Sequence, residues 1–174
     1  MDSICIQYYK SPAGELILGS YEDKLCLADW RYRKSRTAID NRLQKGLRAT
    51  YVEADTEVLI LAREQLMEYF CGDRQTFDLP LLPVGTEFQK SVWKGLLKIP
   101  FGQTVSYLAL AKTIDNEKAV RAVAAAVGAN ALSLFIPCHR IIGSDSSLTG
   151  YAGGLEAKQK FLDLELANYK LKKT

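Results

Sequence analysis

The only histidine of this 174-residue chain directly follows one of its four cysteines. The two residues are Cys138 and His139, and they lie in the stretch FIPCHRII that spans residues 135–142. A thiol becomes a nucleophile when a nearby base or positive charge stabilises its thiolate. Adjacent side chains diverge in strands and in helices, so His139 has to reach Cys138 through a turn or a bridging water. The pair indicates a reactive thiol, and a buried strand that carries polar residues is the alternative.

A third side chain is needed to hold the imidazole in one tautomer, and Glu165 is the candidate. It lies near the apolar stripe of the last predicted helix, where a carboxylate needs a partner. Four residues of this stripe are expected to face the core: Leu155, Phe161, Leu162 and Leu166. The Cys-His pair does not indicate a papain-like protease, because such enzymes bring the two residues together from distant segments.

The composition is that of a globular domain, with 48% apolar and 25% charged residues. No stretch approaches the ~18 apolar residues of a membrane span, and the N-terminal sequence MDSICIQYYK lacks the features of a secretion signal. We therefore expect a cytoplasmic protein with no membrane partner. The four cysteines show no CxxC spacing and only one histidine is present, so we expect reduced thiols and no metal site.

Charge is distributed unevenly along the chain. Residues 1–82 contain 11 Lys/Arg and 13 Asp/Glu, a net charge of −2, whereas residues 83–174 contain 12 and 7, a net charge of +5. The second half is therefore the better candidate to face an anion such as a phosphate backbone. A merely solvated surface explains the charge equally well.

The first half of the chain shows the pattern of an α/β domain. ICIQYY, ELILGS and KLCLADW are short β-rich runs, separated by the turn sequences SPAG and YED. The basic stretch RYRKSRTAIDNRLQKGLR is predicted to be a loop with some helix. A helix follows from about Thr56, and Gly72 stands where a glycine ends such a helix. LPVGT, residues 82–86, is the predicted linker.

The second half is predicted to be mainly helical. Thr86 and Gln89 fit a capping box ahead of an apolar stripe, and Ser106 can cap the helix YLALAKTI. After the short turn DN, a second helix runs through EKAVRAVAAAVGAN and ends at Gly128. Two short helices joined by a tight turn suggest a helix-turn-helix, although helical hairpins that bind nothing are common.

The second of these helices has slim side chains on every face from Ala122 to Val127, with Arg121 at its start. A helix that enters the DNA minor groove needs such slimness, because this groove is only ~6 Å wide. Tight packing in the core is the alternative for most of the alanines, but it accounts poorly for Arg121.

Several of these segments together resemble one known family. IPCHRII, followed by GYAGGL and preceded by GTEFQKSVWKGLLKIPFGQTVSYLALA and AVRAVAAAVGAN, closely resembles the methylated-DNA–protein-cysteine S-methyltransferases, also called O6-alkylguanine-DNA alkyltransferases. The match runs almost continuously from Tyr69 to Glu165 and is looser in the N-terminal part. Pro-Cys-His-Arg in this neighbourhood is a highly specific signature.

The resemblance implies a DNA repair protein that takes an alkyl group from O6 of guanine, or O4 of thymine, onto one cysteine. It implies an α/β N-terminal domain with a ribonuclease-H-like sheet, residues 1–82. Residues 83–174 would form a mainly α C-terminal domain with a winged helix-turn-helix that binds DNA and accepts the alkyl group. We expect a monomer that binds double-stranded DNA carrying O6-alkylguanine in the minor groove, flips the damaged nucleotide, needs no cofactor and reacts once.

The resemblance also implies roles for the residues around the cysteine. Cys138 is the alkyl acceptor, and His139 activates it through a water. Glu165 orients His139. Asn130 braces the turn between the recognition helix and the cysteine strand.

Further roles concern the DNA. Arg121 is expected to fill the space that the flipped base leaves, and Tyr107 to contact the phosphate and base edge of the lesion. Additional DNA contacts are expected at Ala122, Ala125 and Ser144. Five residues are expected to line the guanine pocket: Val127, Ile141, Tyr151, Ala152 and Gly153.

This sequence departs from the family pattern at a few positions. Many relatives have a proline where Ala131 stands, so the turn is expected to be less rigid here. Ser146 occupies a loop position where glycine is expected. Some relatives bind zinc through two cysteines and two histidines of the N-terminal domain. Cys5 and Cys26 lie near those cysteines, but no histidine precedes His139, so we predict no zinc.

Two other functions fit parts of the pattern. An alkyltransferase-like lesion-binding module flips damaged guanine without repairing it, but such proteins have another residue in place of Cys138 and usually lack the N-terminal domain. A regulator would read base edges in the major groove, and the alanine-rich helix has few side chains for this. The sequence therefore favours a stoichiometric alkyl acceptor.

Overall fold

The chain divides into two units, Met1–Gly85 and Thr86–Thr174. The structure is a computed structural model that describes residues 2–173, with side chains described as far as residue 171. The N-terminal unit is built on a sheet and the C-terminal unit is mainly helical, which confirms the coarse architecture predicted from the sequence. Across residues 2–173, no helix has both the length and the apolar character that a membrane span requires.

In the described part of the N-terminal unit, four strands form one sheet: β1 (Asp2–Ser11), β2 (Gly14–Tyr21), β3 (Lys24–Trp30) and β4 (Ala49–Glu53). Their order is β3-β2-β1-β4, with β4 parallel to β1 and the other pairs antiparallel. The register places Leu18 between Gln7 and Ala28. Glu22 and Asp23, with φ of 47° and 60°, form the two-residue turn between β2 and β3. The three predicted β-rich runs are confirmed as β1, β2 and β3.

The basic stretch after β3 is more regular than predicted. It forms α1 (Arg36–Leu47), which leads directly into β4. Only two residues of α1 are buried, so the helix has too few apolar positions to be recognised by periodicity. A buried ion cluster holds its start, because Arg33 and Arg36 donate to the Asp29 carboxylate at 3.1 and 2.9 Å. The prediction of a loop with some helix therefore underestimated the length of the helix.

A second helix of this unit, α2 (Glu57–Phe70), follows the predicted pattern. Thr56 caps it by accepting a hydrogen bond from the Leu59 N–H at 3.2 Å. Gly72 follows with φ of 84°, the left-handed conformation that ends a helix and favours glycine. Six buried residues recur every three to four positions along α2: Val58, Leu59, Ala62, Gln65, Leu66 and Tyr69. Both predicted helix ends are confirmed.

The described residues of the C-terminal unit form four α-helices and two short strands: α3 (Glu87–Leu96), β5 (Val105–Ser106), α4 (Tyr107–Thr113), α5 (Val120–Gly128), β6 (Ile141–Ile142) and α6 (Leu155–Lys173). β5 and β6 pair in parallel, with Val105 opposite Ile141. Single turns of 3-10 helix, Glu117–Ala119 and Cys138–Arg140, precede α5 and β6.

The predicted starts of α3 and α4 are confirmed, whereas the first residues of the predicted helix EKAVRAVAAAVGAN form a 3-10 turn and α5 begins only at Val120. Thr86 accepts a hydrogen bond from the Gln89 N–H at 3.1 Å, and the Gln89 side chain accepts one from the Thr86 N–H at 3.0 Å, which completes the capping box. Ser106 accepts a hydrogen bond from the first turn of α4 at 3.0 Å. Trp93 of α3 donates its indole N–H to the Ala126 carbonyl of α5 at 2.9 Å and so fastens these two helices together.

The inward face of α6 differs from the predicted apolar stripe. Leu155 and Leu166 are 48% and 46% exposed, so the prediction that they face the core is wrong. Phe161 is buried as predicted, and Ala157, Lys158 and Glu165 are buried with it. Two of these are charged, and a charged side chain is fully buried only where partners meet it. The contacts of Lys158 and Glu165 therefore decide which face of α6 is buried. A search for apolar periodicity cannot detect these contacts, because both residues are charged.

Candidate active site

A buried loop after α5 carries the chain to the cysteine. Asn130 donates its side-chain amide to the Ile136 carbonyl at 3.0 Å and accepts a hydrogen bond from the Leu132 N–H at 3.0 Å. One buried side chain thus closes the loop of residues 130–136. Leu134 has φ of 72°, a left-handed conformation that leucine adopts only where the surrounding structure enforces it. The loop is therefore a constrained support for the residues that follow it.

Cys138 begins the single 3-10 turn that follows this loop, and it is 6% exposed. Its N–H donates to the Ile136 carbonyl at 2.8 Å, and the Arg140 N–H donates to the Pro137 carbonyl at 3.1 Å. The expectation that Cys138 lies on a strand is wrong. These local hydrogen bonds form a turn, and β6 begins only after it. A turn between the thiol and the imidazole was one of the two arrangements predicted.

Glu165 meets His139 inside the C-terminal unit. Its Oε1 lies 2.7 Å from His139 Nε2, and the side chains are 1% and 0% exposed. The Phe161 ring packs edge-on against the imidazole, with 5.6 Å between ring centroids. Burial lowers the pKa of His139 below its ordinary value, although Glu165 acts in the opposite direction. The imidazole is therefore neutral at pH 7, and its Nε2–H donates to Glu165.

Glu165 also accepts hydrogen bonds from Arg140 and from the backbone. Arg140 Nε donates to Oε2 and Nη2 to Oε1, both at 2.9 Å, and the Gly102 N–H donates to Oε2 at 3.3 Å. Burial raises the pKa of this carboxyl, but the hydrogen bonds and charges of His139 and Arg140 outweigh burial and lower the pKa to about 2. Glu165 is therefore an anion at physiological pH.

The second ring nitrogen of His139, Nδ1, is chemically able to act as a base. Nδ1 is buried and makes no hydrogen bond to any described residue. Because the proton is on Nε2, Nδ1 carries a lone pair. The arrangement can therefore take a proton from the neighbouring thiol of Cys138, directly or through a water.

The helix α5 exposes one slim face. Four residues at helical spacing are exposed on it: Arg121, Ala122, Ala125 and Gly128. The opposite face is buried and consists of Val123, Ala126 and Val127. Packing in the core therefore does not explain Ala122 and Ala125. A face of alanine and glycine allows close approach to a narrow groove, and Arg121 is the one long side chain on it.

The segment between β6 and α6 carries several predicted site residues. The Tyr107 hydroxyl, at the start of α4, donates to the Thr149 carbonyl at 3.4 Å. Tyr151 packs edge-on against Phe161, with 6.1 Å between centroids, so Phe161 contacts both Tyr151 and His139. Tyr151, Ala152 and Gly153 are half-buried. Ser144 is exposed, and no hydrogen bond of its side chain joins it to the other predicted site residues.

Two family models together match nearly the whole chain. The one described as "6-O-methylguanine DNA methyltransferase, ribonuclease-like domain" matches residues 4–83. The one described as "6-O-methylguanine DNA methyltransferase, DNA binding domain" matches residues 87–167. The chain belongs to the 6-O-methylguanine DNA methyltransferase family. The resemblance noted in the sequence is confirmed.

Relatives in this family are similar to the chain over almost its whole length. The constitutive methylated-DNA–protein-cysteine methyltransferase of Bacillus subtilis (strain 168) is 42% identical, and the alignment covers 96% of this chain and 100% of the relative. The methylated-DNA–protein-cysteine methyltransferase of Haemophilus influenzae is 39% identical, over 97% of this chain and 90% of the relative. The crystal structure of Mycobacterium tuberculosis OGT in complex with DNA has a TM-score of 0.80 at 36% identity, covering 94% of this chain and 93% of that one.

Lys158 is a buried residue near Cys138 that sequence reasoning missed. It is 0% exposed, and its Nζ donates to the carbonyls of Thr149 and Gly150 at 2.9 and 3.4 Å. Burial lowers the pKa of Lys158, while the nearby charge of Cys138 raises it. A positive charge close to a thiol stabilises the thiolate. The signal in the sequence is the position of Lys158 two helical turns before Glu165, which places both on one face of α6.

The two loop departures from the family pattern have visible structural settings. Ala131 is buried in the loop that Asn130 closes with two side-chain hydrogen bonds, and these constrain the loop at the position where the family pattern led us to expect proline. Ser146 has φ of 65°, a left-handed conformation that glycine adopts more easily, which explains the glycine expected there.

The other cysteines lie in the N-terminal unit, and no disulfide joins any of the described cysteines. Burial raises the pKa of Cys26 to about 12, so this residue is an unreactive thiol of the core. Cys5 is half-buried and Cys71 is exposed. Over the part of the chain that the structure describes, no three His, Cys, Asp or Glu side chains are grouped as metal ligands.

Proposed function

We propose that this protein repairs DNA by moving the alkyl group of O6-alkylguanine onto the sulfur of Cys138, once per molecule. Family membership assigns the reaction class, alkyl transfer from DNA to a protein cysteine. The observation that supports Cys138 as the acceptor is the buried His139–Glu165 pair, whose unprotonated Nδ1 belongs to the residue next to the thiol.

The proposed chemistry consists of a proton transfer and a displacement. His139 Nδ1 takes the thiol proton of Cys138, directly or through a water, and Lys158 stabilises the thiolate. The sulfur attacks the alkyl carbon, so an S–C bond forms while the C–O6 bond breaks and its electron pair stays on guanine. Guanine gains one proton from the Tyr107 hydroxyl, which is reprotonated with the proton that left the thiol. The product is a thioether, which explains a single turnover, and the step uses no cofactor.

Asn130 is proposed to place the sulfur for this attack. Its two hydrogen bonds close the loop that ends just before Cys138, and displacement reactions depend steeply on the alignment of the reacting atoms. Glu165 is proposed to hold the imidazole in the tautomer that leaves Nδ1 as the base.

We propose that α5 enters the minor groove of double-stranded DNA. Ala122 and Ala125 would lie against the groove walls, and Arg121 would occupy the space of the flipped nucleotide. Flipping a base costs a few kcal/mol, and an inserted side chain offsets part of this cost. Tyr107 would contact the phosphate and base edge of the lesion, and the exposed Ser144 would contact the DNA backbone.

The guanine pocket is proposed to lie beside Cys138. Tyr151, with the backbone of Ala152 and Gly153, would form one wall, which agrees with their half-buried state and with the contact of Tyr151 to Phe161. Val127 and Ile141 are buried and would contribute to its floor. O4-alkylthymine is proposed as a second substrate of this pocket.

Finer features of the architecture are part of the same proposal. Residues 1–82 would form a ribonuclease-H-like N-terminal domain, and residues 83–174 the DNA-binding and alkyl-acceptor domain. α4 and α5 would form the helix-turn-helix, with the paired β5 and β6 as its wing. The cytoplasmic location and the monomeric state expected from the sequence stay predictions.

Intact-protein mass spectrometry tests the proposal. The protein is incubated with duplex DNA carrying one O6-methylguanine, and we expect a gain of one methyl group per molecule, mapped to Cys138. Cys138→Ala should bind the same duplex without gaining mass, and Cys71→Ala serves as a matched control that should be methylated like the original protein. Binding with no gain in mass would contradict the proposal and support a lesion-binding module instead.

A further inference from the structure

The guanidinium of Arg140 contacts both oxygens of the Glu165 carboxylate. Nε donates to Oε2 and Nη2 to Oε1, each at 2.9 Å, which is the bidentate geometry that fixes the plane of a carboxylate. The third nitrogen, Nη1, donates to the Ile99 carbonyl at 2.7 Å, and the guanidinium lies 5.7 Å from the centre of the Phe101 ring. Arg140 is therefore held by the segment that follows α3, and it holds Glu165 in turn.

One oxygen of Glu165 is shared between two donors. Oε1 accepts hydrogen bonds from His139 Nε2 at 2.7 Å and from Arg140 Nη2 at 2.9 Å. The position of this oxygen fixes the direction of the Nε2–H bond and hence the orientation of the imidazole. Arg140 thus sets the orientation of His139 without contacting the reacting atoms.

The charges of the site balance only when Arg140 is counted. Glu165 faces His139 and Arg140, while Lys158 from α6 acts on both His139 and Cys138. A buried carboxylate needs one positive partner, and Arg140 supplies a charge that does not titrate. His139 can therefore stay neutral, and Lys158 is left as the counter-charge of the Cys138 thiolate.

Loss of Arg140 would change which group carries the proton. His139 would be the nearest group able to neutralise Glu165, and it would do so by becoming an imidazolium. Protonated Nδ1 is a hydrogen-bond donor, so it could no longer accept the thiol proton. The contributions to the pKa of His139 act in the directions that this requires: burial, Arg140 and Lys158 lower the pKa, whereas Glu165 raises it.

We propose that Arg140 is a positioning residue for the alkyl transfer: it neutralises Glu165 and so keeps His139 a correctly oriented, neutral base. The inference rests on the proposed function, in which His139 accepts the thiol proton. It is carried by the geometry of the bidentate pair and by the shared oxygen Oε1.

The chain has a single histidine, so every imidazole signal in its nitrogen NMR spectrum belongs to His139. In the free protein we expect the neutral tautomer with the proton on Nε2, unchanged between pH 8 and pH 7. Arg140→Met should raise the pKa of His139 so that at least about a tenth of the molecules carry an imidazolium at pH 7. Arg140→Lys keeps the charge without the planar fork, so His139 should stay neutral while alkyl transfer slows.

The pH profile of alkyl transfer gives a second readout that a purely structural role would not change. Arg140→Met should be slowed more at pH 6.5 than at pH 8.5, because raising the pH deprotonates His139 and restores the base. Arg36→Met is the matched control, since it also removes an arginine from a buried carboxylate, Asp29, in the N-terminal unit. It should leave the His139 signals and the shape of the pH profile unchanged.

Specific outcomes would overturn the inference. One such outcome is that His139 of the original protein is an imidazolium at pH 7, or carries its proton on Nδ1. This outcome can be observed without making any variant. Another is a folded Arg140→Met protein whose His139 stays neutral from pH 8 to pH 6; Arg140→Gln replaces it if Arg140→Met does not fold. The NMR experiments use free protein, so failure of methyl transfer from DNA would overturn the proposed function while leaving the effect of Arg140 on His139 measurable.

Discussion

His139 and Glu165 lie 26 residues apart in the chain, yet Nε2 and Oε1 meet at 2.7 Å in a buried site. The contact joins the turn after Pro137 to the long helix α6, two elements that have no common sequence pattern. It fixes the tautomer of the imidazole and leaves Nδ1 unprotonated, so that this nitrogen can accept a thiol proton.

Glu165→Gln should destabilise the protein by about 3–5 kcal/mol, because Arg140 then remains buried without its counter-charge. Alkyl transfer should also slow, since a neutral amide no longer selects the Nε2–H tautomer of His139. Urea unfolding and the rate of methyl transfer measure the two effects. Glu156→Gln, an exposed position on the same helix, is the control and should change neither. Equal stability of the two variants would contradict the structure of the site.

The stability of the protein should fall as the pH decreases below about 6.5. Burial lowers the pKa of His139 in the folded state below its ordinary value of 6.5. Just below pH 6.5 the unfolded chain therefore binds a proton at this residue, whereas the folded chain does not, and folding becomes less favourable. The loss is at most about 1.4 kcal/mol per pH unit for this one group. Glu165, with a folded pKa of about 2 against an ordinary value of 4.5, adds a further loss below pH 4.5. Urea unfolding between pH 8 and pH 4 measures both.

A histidine variant separates the two contributions to this pH dependence. His139→Asn should abolish the decrease between pH 6.5 and pH 5, since the chain has no other histidine, and keep the decrease at lower pH. An original protein equally stable at pH 7.5 and pH 5.5 would show that His139 is not held in its neutral form.

Lys158→Met should slow the reaction of Cys138 with iodoacetamide at pH 7 by about tenfold, the effect of losing about 1.4 kcal/mol of thiolate stabilisation. The ammonium is buried and interacts with the charge of Cys138, so water cannot replace it fully. Mass spectrometry of the modified protein measures the rate at Cys138. Lys160→Met removes an exposed lysine of α6 and should leave this rate unchanged. Equal rates in the two variants would exclude Lys158 from the activation of the thiol.

Asn130→Ala should cost about 1–3 kcal/mol of unfolding free energy, because it leaves the buried Leu132 N–H without a partner and the Ile136 carbonyl with the Cys138 N–H alone. Thermal or urea unfolding measures the loss. Asn116 precedes the 3-10 turn before α5 and makes no capping hydrogen bond with its side chain, so Asn116→Ala should change stability by less than about 0.5 kcal/mol. A small effect at Asn130 would mean that packing alone holds the loop.

Arg121→Ala should slow methyl transfer from duplex DNA far more than transfer from single-stranded DNA, because only the duplex has a stacked space to fill after flipping. Rates on the two substrates, measured at one salt concentration, give the comparison. Lys118→Ala, an exposed basic residue just before α5, is the control and should slow both substrates alike. Equal slowing by Arg121→Ala would remove the base-replacing role.

Local signals of the sequence were reliable where the physics is local. The turn between β2 and β3, the capping box of Thr86 and Gln89, and the glycine after α2 depend on neighbouring residues only, and each lies where it was predicted. α1 and β4 were not recognised, because α1 buries few apolar residues and its start is held by Asp29 of another element.

The sequence by itself determined the adjacent pair Cys138 and His139, the slim composition of α5 and the family, because residue type and close spacing suffice for these. Only the tertiary structure decided how α6 is rotated, with Lys158 and Glu165 inside and Leu155 and Leu166 outside. The same holds for the enclosure of Glu165 by Arg140 and Gly102. The physical reason is that the position of a buried charged side chain depends on partners that are distant in the sequence. Local periodicity does not show which residues these partners are.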